Sequence, residues 1–378
     1  MTQQSQYPGW IWTDRGWQPD PVVQQQWQDY QAYWADERRR REAHPHPEPA
    51  TYPLMLRTWD YAWWRPVVGL LLFIVGGLVV APIVLLPVLG IAVALQGGEG
   101  SLVDRILDAA TLENVTPASM LYLNLTLASL TLVAFLIMRL VHRLRPRWLS
   151  SVQPRIRWKF FFACVGLAVV ALIASLIVGV LLPHDPNELS GTPSFPTGQL
   201  LATAIVILLT TPLQAIGEEY GFRGYLMQAL GSFTDGIARA LNASPRTARL
   251  IAHAAALVLT STLFALAHGV QNFPLFFDRF AFGFMAGLVV ILVGGLEAGI
   301  ALHILNNLLA FGVAIALDQL DGTLNVSEVS WWQLPVTITQ NGVFLLLVLL
   351  VARSMGLRNR TAPPGSETPV HAAPGAPG

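Results

Sequence analysis

Long apolar stretches alternate with short polar connections along most of this chain. A helix needs about 20 residues to cross the hydrocarbon of a bilayer, and eight stretches are long enough: near 66 to 95, 118 to 141, 160 to 182, 200 to 230, 250 to 268, 280 to 295, 298 to 317 and 335 to 352. The pattern predicts an all-α polytopic membrane protein with about eight transmembrane helices. A polar arm precedes the first span over residues 1–60. Residues 61–355 form the transmembrane helical domain, and residues 356–378, rich in Pro, Gly and Ala, read as a disordered tail.

Composition supports the same picture. The 378 residues are 53% hydrophobic and 12% charged, against about 25% charged in an ordinary soluble domain. The formal net charge is zero, so nothing in the global balance points to nucleic acid. Position matters more. Arg139, Arg143, Arg145, Arg147, Arg155, Arg157 and Lys159 cluster between the second and third spans, while the loops near 97–117, 183–199, 269–279 and 319–334 hold only Arg105 and Arg279. By the positive-inside rule both termini are expected in the cytoplasm, with Trp331 and Trp332 in the outer interfacial belt. The first ten residues, MTQQSQYPGW, lack the basic-then-apolar pattern of a cleaved signal peptide, so the first span is expected to direct insertion into the cell membrane. The arm carries Trp10, Trp12, Trp17, Trp27 and Trp34 and the run Arg38 to Arg41; it is expected to rest on an anionic membrane surface. Cys164, the single cysteine, excludes an internal disulfide framework.

Ionisable groups inside spans cost a few kcal/mol each on insertion scales and call for a partner or a purpose. Here they gather in the second half. The fourth span carries Glu218, Glu219 and Arg223, the fifth ends with His268, and the seventh carries His303 and Asn307. Residues four apart share a helix face, so Glu219 can pair with Arg223. Glu218 is turned away from that pair, which leaves it the freer carboxylate and the candidate base. Phe264 and His268 lie one turn apart on one face, as do His303 and Asn307, whose imidazole and amide could clamp an oxyanion. Asn306 points off that face, and Asn272, beside Phe273 and Pro274 where the helix is expected to end, ranks below Asn307. The spans are expected to enclose an intramembrane polar cavity, with Pro212 kinking the fourth.

In this order and on separate apolar helices, Glu218-Glu219-x-x-x-Arg223, Phe264-x-x-x-His268 and His303-x-x-x-Asn307 resemble the CAAX prenyl endopeptidase and bacteriocin-processing (CPBP, or Abi) family of intramembrane proteases. The sixth span, Phe280-Ala-Phe-Gly-Phe-Met-Ala-Gly287, resembles the family's small-residue helix. The resemblance covers roughly residues 200–312. It implies peptide-bond hydrolysis within the membrane: Glu218 and His268 would activate a water, His303 and Asn307 would hold the tetrahedral oxyanion, and Glu219, Arg223 and Phe264 would organise the site. The expected substrate is a membrane-proximal or lipid-anchored protein or peptide. The favoured reading needs no cofactor. Zinc is the alternative, since Glu218, His268 and His303 could form a His2Glu site with water in the open position, although no H-E-x-x-H helix is present. The competing function is a non-proteolytic membrane scaffold or immunity-type protein of the same fold. The sequence assigns no oligomeric state.

Overall fold

The computed structural model describes residues 9–112, 115–183 and 193–363. Residues 364–378 of the expected tail, residues 1–8 of the arm and parts of two loops (113–114 and 184–192) lie outside the described residues. A two-stranded antiparallel hairpin, β1 (Trp10–Thr13) and β2 (Gly16–Pro19), opens the chain. It leads into α1 (Pro21–Ala43), whose first turn is capped by the Asp20 side chain accepting from the Val22 amide.

The first span joins α2 (Trp64–Val75), a π-helical turn at Gly76–Val80 and α3 (Ala81–Gln96) into 33 continuous residues. After the short α4 (Leu102–Thr111) come α5 (Pro117–Leu140) and α6 (Trp158–Leu181) as the second and third spans. The fourth runs through α7 (Gly198–Glu218), a π-helical stretch at Glu219–Leu226 and α8 (Met227–Ala240). Next are α9 (Pro245–Leu266), α10 (Phe273–Val293), α11 (Glu297–Ala316), the short α12 (Leu320–Leu324) and α13 (Gln333–Ser354). Eight helices are long and apolar enough to cross a membrane, as the pattern predicts, and the molecule is an all-α multi-pass membrane protein.

Two boundaries differ from the expectation. The helix containing the fourth span is 43 residues long, about 65 Å at 1.5 Å per residue, roughly twice the hydrocarbon thickness. It passes Pro212 without interruption, and α8 continues beyond the apolar run. The sixth span starts at Phe273 instead of 280, because Asn272 caps it and Pro274 occupies its first turn. Asp278 and Arg279 made this turn look like loop. Both have partners: Asp278 accepts from Gln333 at 3.2 Å and from the Thr337 hydroxyl, and Arg279 donates to Gln271 at 3.2 Å.

At the end of the bundle where the first span begins and α13 ends, called the termini end below, residues 44–61 are folded into the body. Tyr52 and Met55 are fully buried, the Tyr52 hydroxyl donates to the Leu149 carbonyl, and the Pro53 carbonyl lies so close to Gly231 that a Cβ there would sit 2.5 Å from it. The apolar sequence Tyr52-Pro-Leu-Met-Leu56 accounts for this burial inside an otherwise polar arm. The segment after α13 joins the same cap. Thr361 and Ala50 exchange bonds, amide to carbonyl at 3.0 Å and amide to hydroxyl at 2.9 Å, and Thr51 meets Arg360 in an isolated bridge. Residues 356–363, at the start of the segment expected to be disordered, are therefore anchored through Thr361.

Candidate active site among the fourth, fifth, seventh and sixth spans

The fourth span delivers its charges through the π-helical stretch Glu219–Leu226. A π turn is uncommon and recurs at functional sites. One side of the stretch faces the bundle's polar centre: Arg223 Nη1 donates to Glu219 Oε1 at 2.9 Å, with both residues buried. The other side fastens the helix to the loop after α5, through Tyr220 to Ser150 at 2.7 Å and Tyr225 to His142 at 3.2 Å. Charges and anchors thus alternate around one widened turn.

His303 on α11 meets both carboxylates. Its Nδ1 lies 2.9 Å from Glu219 Oε1 in a hydrogen bond, and its Nε2 lies 3.2 Å from Glu218 Oε2. The second contact lacks hydrogen-bond alignment, and Glu218 Oε2 is buried with no hydrogen-bond partner. Glycine makes this approach feasible: a Cβ on Gly299 would sit 2.6 Å from Glu219 Oε2. His303 lies six residues above Glu297, about 9 Å along the helix. Glu297 is itself held by Arg157 through three hydrogen bonds of 2.6 to 2.9 Å.

Phe264 is the hub of the aromatic wall. The Arg223 guanidinium stacks over its ring at 3.9 Å, a cation–π contact that compensates in part for burying the charge. Its ring centroid lies 4.8 Å from that of His268 and 5.9 Å from that of His303. Phe282 closes the other side, 5.0 Å from His303. His268 follows the end of α9, and its Nδ1 bonds to the Phe264 carbonyl at 2.7 Å. A carbonyl only accepts, so Nδ1 carries the proton and Nε2 keeps its lone pair. His268 is the most exposed member of the set.

Of the residues singled out in the sequence, Glu218, Glu219, Arg223, Phe264, His268 and His303 form one connected cluster. Asn307 lies one turn above His303, and its Nδ2 donates to Gln214 Oε1 at 3.1 Å. Gln214 is the residue the sequence reading passes over. It lies one turn before Glu218, and an amide inside an apolar run was the available signal. Phe282 is read only as part of the aromatic, small-residue sixth span and Gly299 is given no role, because a single phenylalanine or glycine in an apolar helix has no distinguishing mark. Asn306 accepts from Gln340 at 3.1 Å, and Asn272 donates to the Val329 carbonyl at 2.9 Å; both are tied up away from the cluster.

Both imidazoles hold Nδ1 against an acceptor, which is also how metal ligands are oriented, and His303 turns its Nε2 to Glu218 Oε2 at 3.2 Å. The set still does not fit zinc as placed. Among the described residues no three His, Cys, Asp or Glu side chains converge as a metal site requires.

No curated protein and no solved structure matches the chain. Residues 199–309 match the family model described as Rce1-like, type II CAAX prenyl endopeptidase Rce1-like, a range that contains every member of the cluster. Over this segment the chain is similar to the Rce1-like family, a match consistent with the CPBP family.

Proposed function

We propose that this protein is an intramembrane endopeptidase that hydrolyses a peptide bond of a membrane-proximal or lipid-anchored protein or peptide. The observation that carries the reading is the presence of two acceptors in one cluster: Glu218 Oε2, buried without an aligned hydrogen bond and 3.2 Å from His303 Nε2, and His268 Nε2, left unprotonated by the bond from Nδ1 to Phe264. Together they can take a proton from a water and orient it. The water oxygen bonds to the substrate carbonyl carbon as Glu218 Oε2 accepts its proton. The carbonyl electron pair moves onto oxygen, where Asn307 Nδ2–H and His303 Nε2–H stabilise it. On collapse the C–N bond breaks and the proton held by Glu218 passes to the leaving nitrogen, giving a carboxyl and an amine.

Glu219 and Arg223 position this machinery. Two carboxylates against one guanidinium leave a buried cluster one positive charge short. An imidazolium at His303 would supply it and would also furnish the Nε2–H that the oxyanion needs. The charged loop after α5 and both termini face the cytoplasm of a cell in this reading, following the distribution of arginine.

The test compares membrane proteomes and purified proteins of wild type and Glu218→Gln. The substitution keeps the side chain's shape, so insertion and folding should persist while cleavage falls by at least the 10²–10⁴-fold typical of a general base. A substrate cut equally fast by both proteins would reject Glu218 as the base, and a wild type that cuts nothing absent from the variant would favour a scaffold. The same purified enzyme should keep its activity after exhaustive chelation. Loss with recovery on adding zinc would overturn the metal-free route.

A further inference from the structure

We propose that the arginine-lined cavity at the termini end of the bundle binds the phosphate of an anionic phospholipid headgroup. The cavity measures about 260 Å³, just below the roughly 300–1,000 Å³ of sites for drug-sized ligands, which suits a headgroup better than a larger molecule. Arg38 and Arg41 of α1 enter it from one side; Arg139, Arg143 and Arg145, at the end of α5 and just after it, enter from the other. Five arginines and two acidic residues, Glu42 and Asp60, line it.

Topology alone does not explain this arrangement. The positive-inside rule counts charges on a loop and places no demand on where they point. Here arginines about a hundred residues apart in the chain converge on one concavity, held there by the ion pair of Arg145 with Glu42. Arg41 is paired with Glu37 at 2.9 Å, whereas the side chains of Arg139 and Arg143 make no ion pair or hydrogen bond among the described residues. Arg143 also has a φ of 57°, a left-handed backbone that a non-glycine residue adopts only where its surroundings impose it. Guanidinium groups are planar forks that match phosphate oxygens two at a time.

Position selects lipid over a soluble phosphate. The cavity lies where α5 leaves the apolar region, next to Leu140, which is 73% exposed. Trp59 lines it, and the exposed Trp63 and Trp64 open the first span nearby; such rings settle at headgroup level. His142 lines the cavity and contacts Tyr225 of the π-helical stretch, so an occupant would lie two side chains from the candidate active site.

The experiment is native mass spectrometry of the detergent-purified full chain, titrated with phosphatidylglycerol, phosphatidylcholine or inorganic phosphate. Phosphatidylglycerol should bind and phosphatidylcholine should bind far more weakly. Arg139→Gln with Arg143→Gln should weaken phosphatidylglycerol about 25-fold, from roughly fivefold per arginine. Arg246→Gln with Arg353→Gln, which removes two exposed arginines outside the cavity, should leave binding unchanged. Both cavity arginines are exposed, and a paired Arg→Lys variant that retains charge guards against loss of fold. Equal binding by wild type and the cavity variant would overturn the proposal, as would equal weakening by the control pair. Inorganic phosphate that binds as tightly as phosphatidylglycerol, and displaces it, would overturn the lipid assignment.

Discussion

Glu218 and Glu219 are neighbours in the chain and touch the same histidine, yet their surroundings give them different work. Glu219 is fully buried and bonded to Arg223 and His303. Removing one partner of such a buried pair leaves an uncompensated charge and costs about 3–5 kcal/mol. Glu219→Ala should therefore lower thermal stability and yield, and a variant with unaltered stability would show that the pair is not structural. Asn307 belongs to the other class. It is only partly buried, and its one bond in the cluster is to Gln214. Asn307→Ala should leave the melting temperature within a degree or two and lower kcat by about 10²–10³-fold with KM little changed, the loss expected of one oxyanion donor. A rise in KM at constant kcat would instead make Asn307 a substrate-binding residue.

At the scale of the helices, the site depends on how closely the spans approach one another. Gly217 lies against α5 so tightly that a Cβ would sit 2.1 Å from the Leu127 carbonyl oxygen and 2.7 Å from the Ala128 Cα. Backbone cannot yield as a side chain can, so Gly217→Ala must push α5 and α7 apart next to Glu218. The expected result is a loss of both stability and cleavage, on the order of the 1–3 kcal/mol that overpacking costs; retention of full activity would show that the two helices separate without disturbing Glu218. Nothing in the sequence distinguishes Gly217 from Gly166, which has open space beside it, because the difference lies in α5. The spans themselves were legible, since lipid permits little besides helices of a fixed minimum length. Glu218, His268 and His303 were legible because charge is conspicuous in an apolar run. The π-helical stretch was not. The i to i+4 spacing of Glu219 and Arg223 suits an α-helix, and the widened turn becomes visible only with Tyr220 and Tyr225 bonded to a loop about 80 residues away.

For the molecule as a whole, the cap at the termini end makes folding stability depend on pH. His46 is 3% exposed, its Nε2 lies 2.8 Å from the Met55 carbonyl, and burial lowers its pKa to about 4 from the ordinary 6.5. His142 is lowered to about 4 as well, by burial first and by Arg65 second. A histidine whose folded pKa is depressed binds its proton more readily in the unfolded chain. Between about 4 and 6.5 the unfolded state therefore holds more protons, and stability falls as pH drops through that window while staying flat above it. At 1.36 kcal/mol per unit the full effect of His46 is on the order of 3 kcal/mol. It should appear first in residues 44–58, where Ala50 is bonded to Thr361 of the segment after α13. Protection factors from hydrogen exchange of this segment in detergent-purified protein, which correct for the intrinsic slowing of amide exchange in acid, should fall markedly between pH 7 and pH 5 in the wild type. His46→Gln retains a side-chain donor for the Met55 carbonyl and carries no titratable ring. It should be as well protected as wild type at pH 7 and lose only part of that protection at pH 5. Identical pH profiles for the two proteins would mean that the cap opens without admitting a proton to His46.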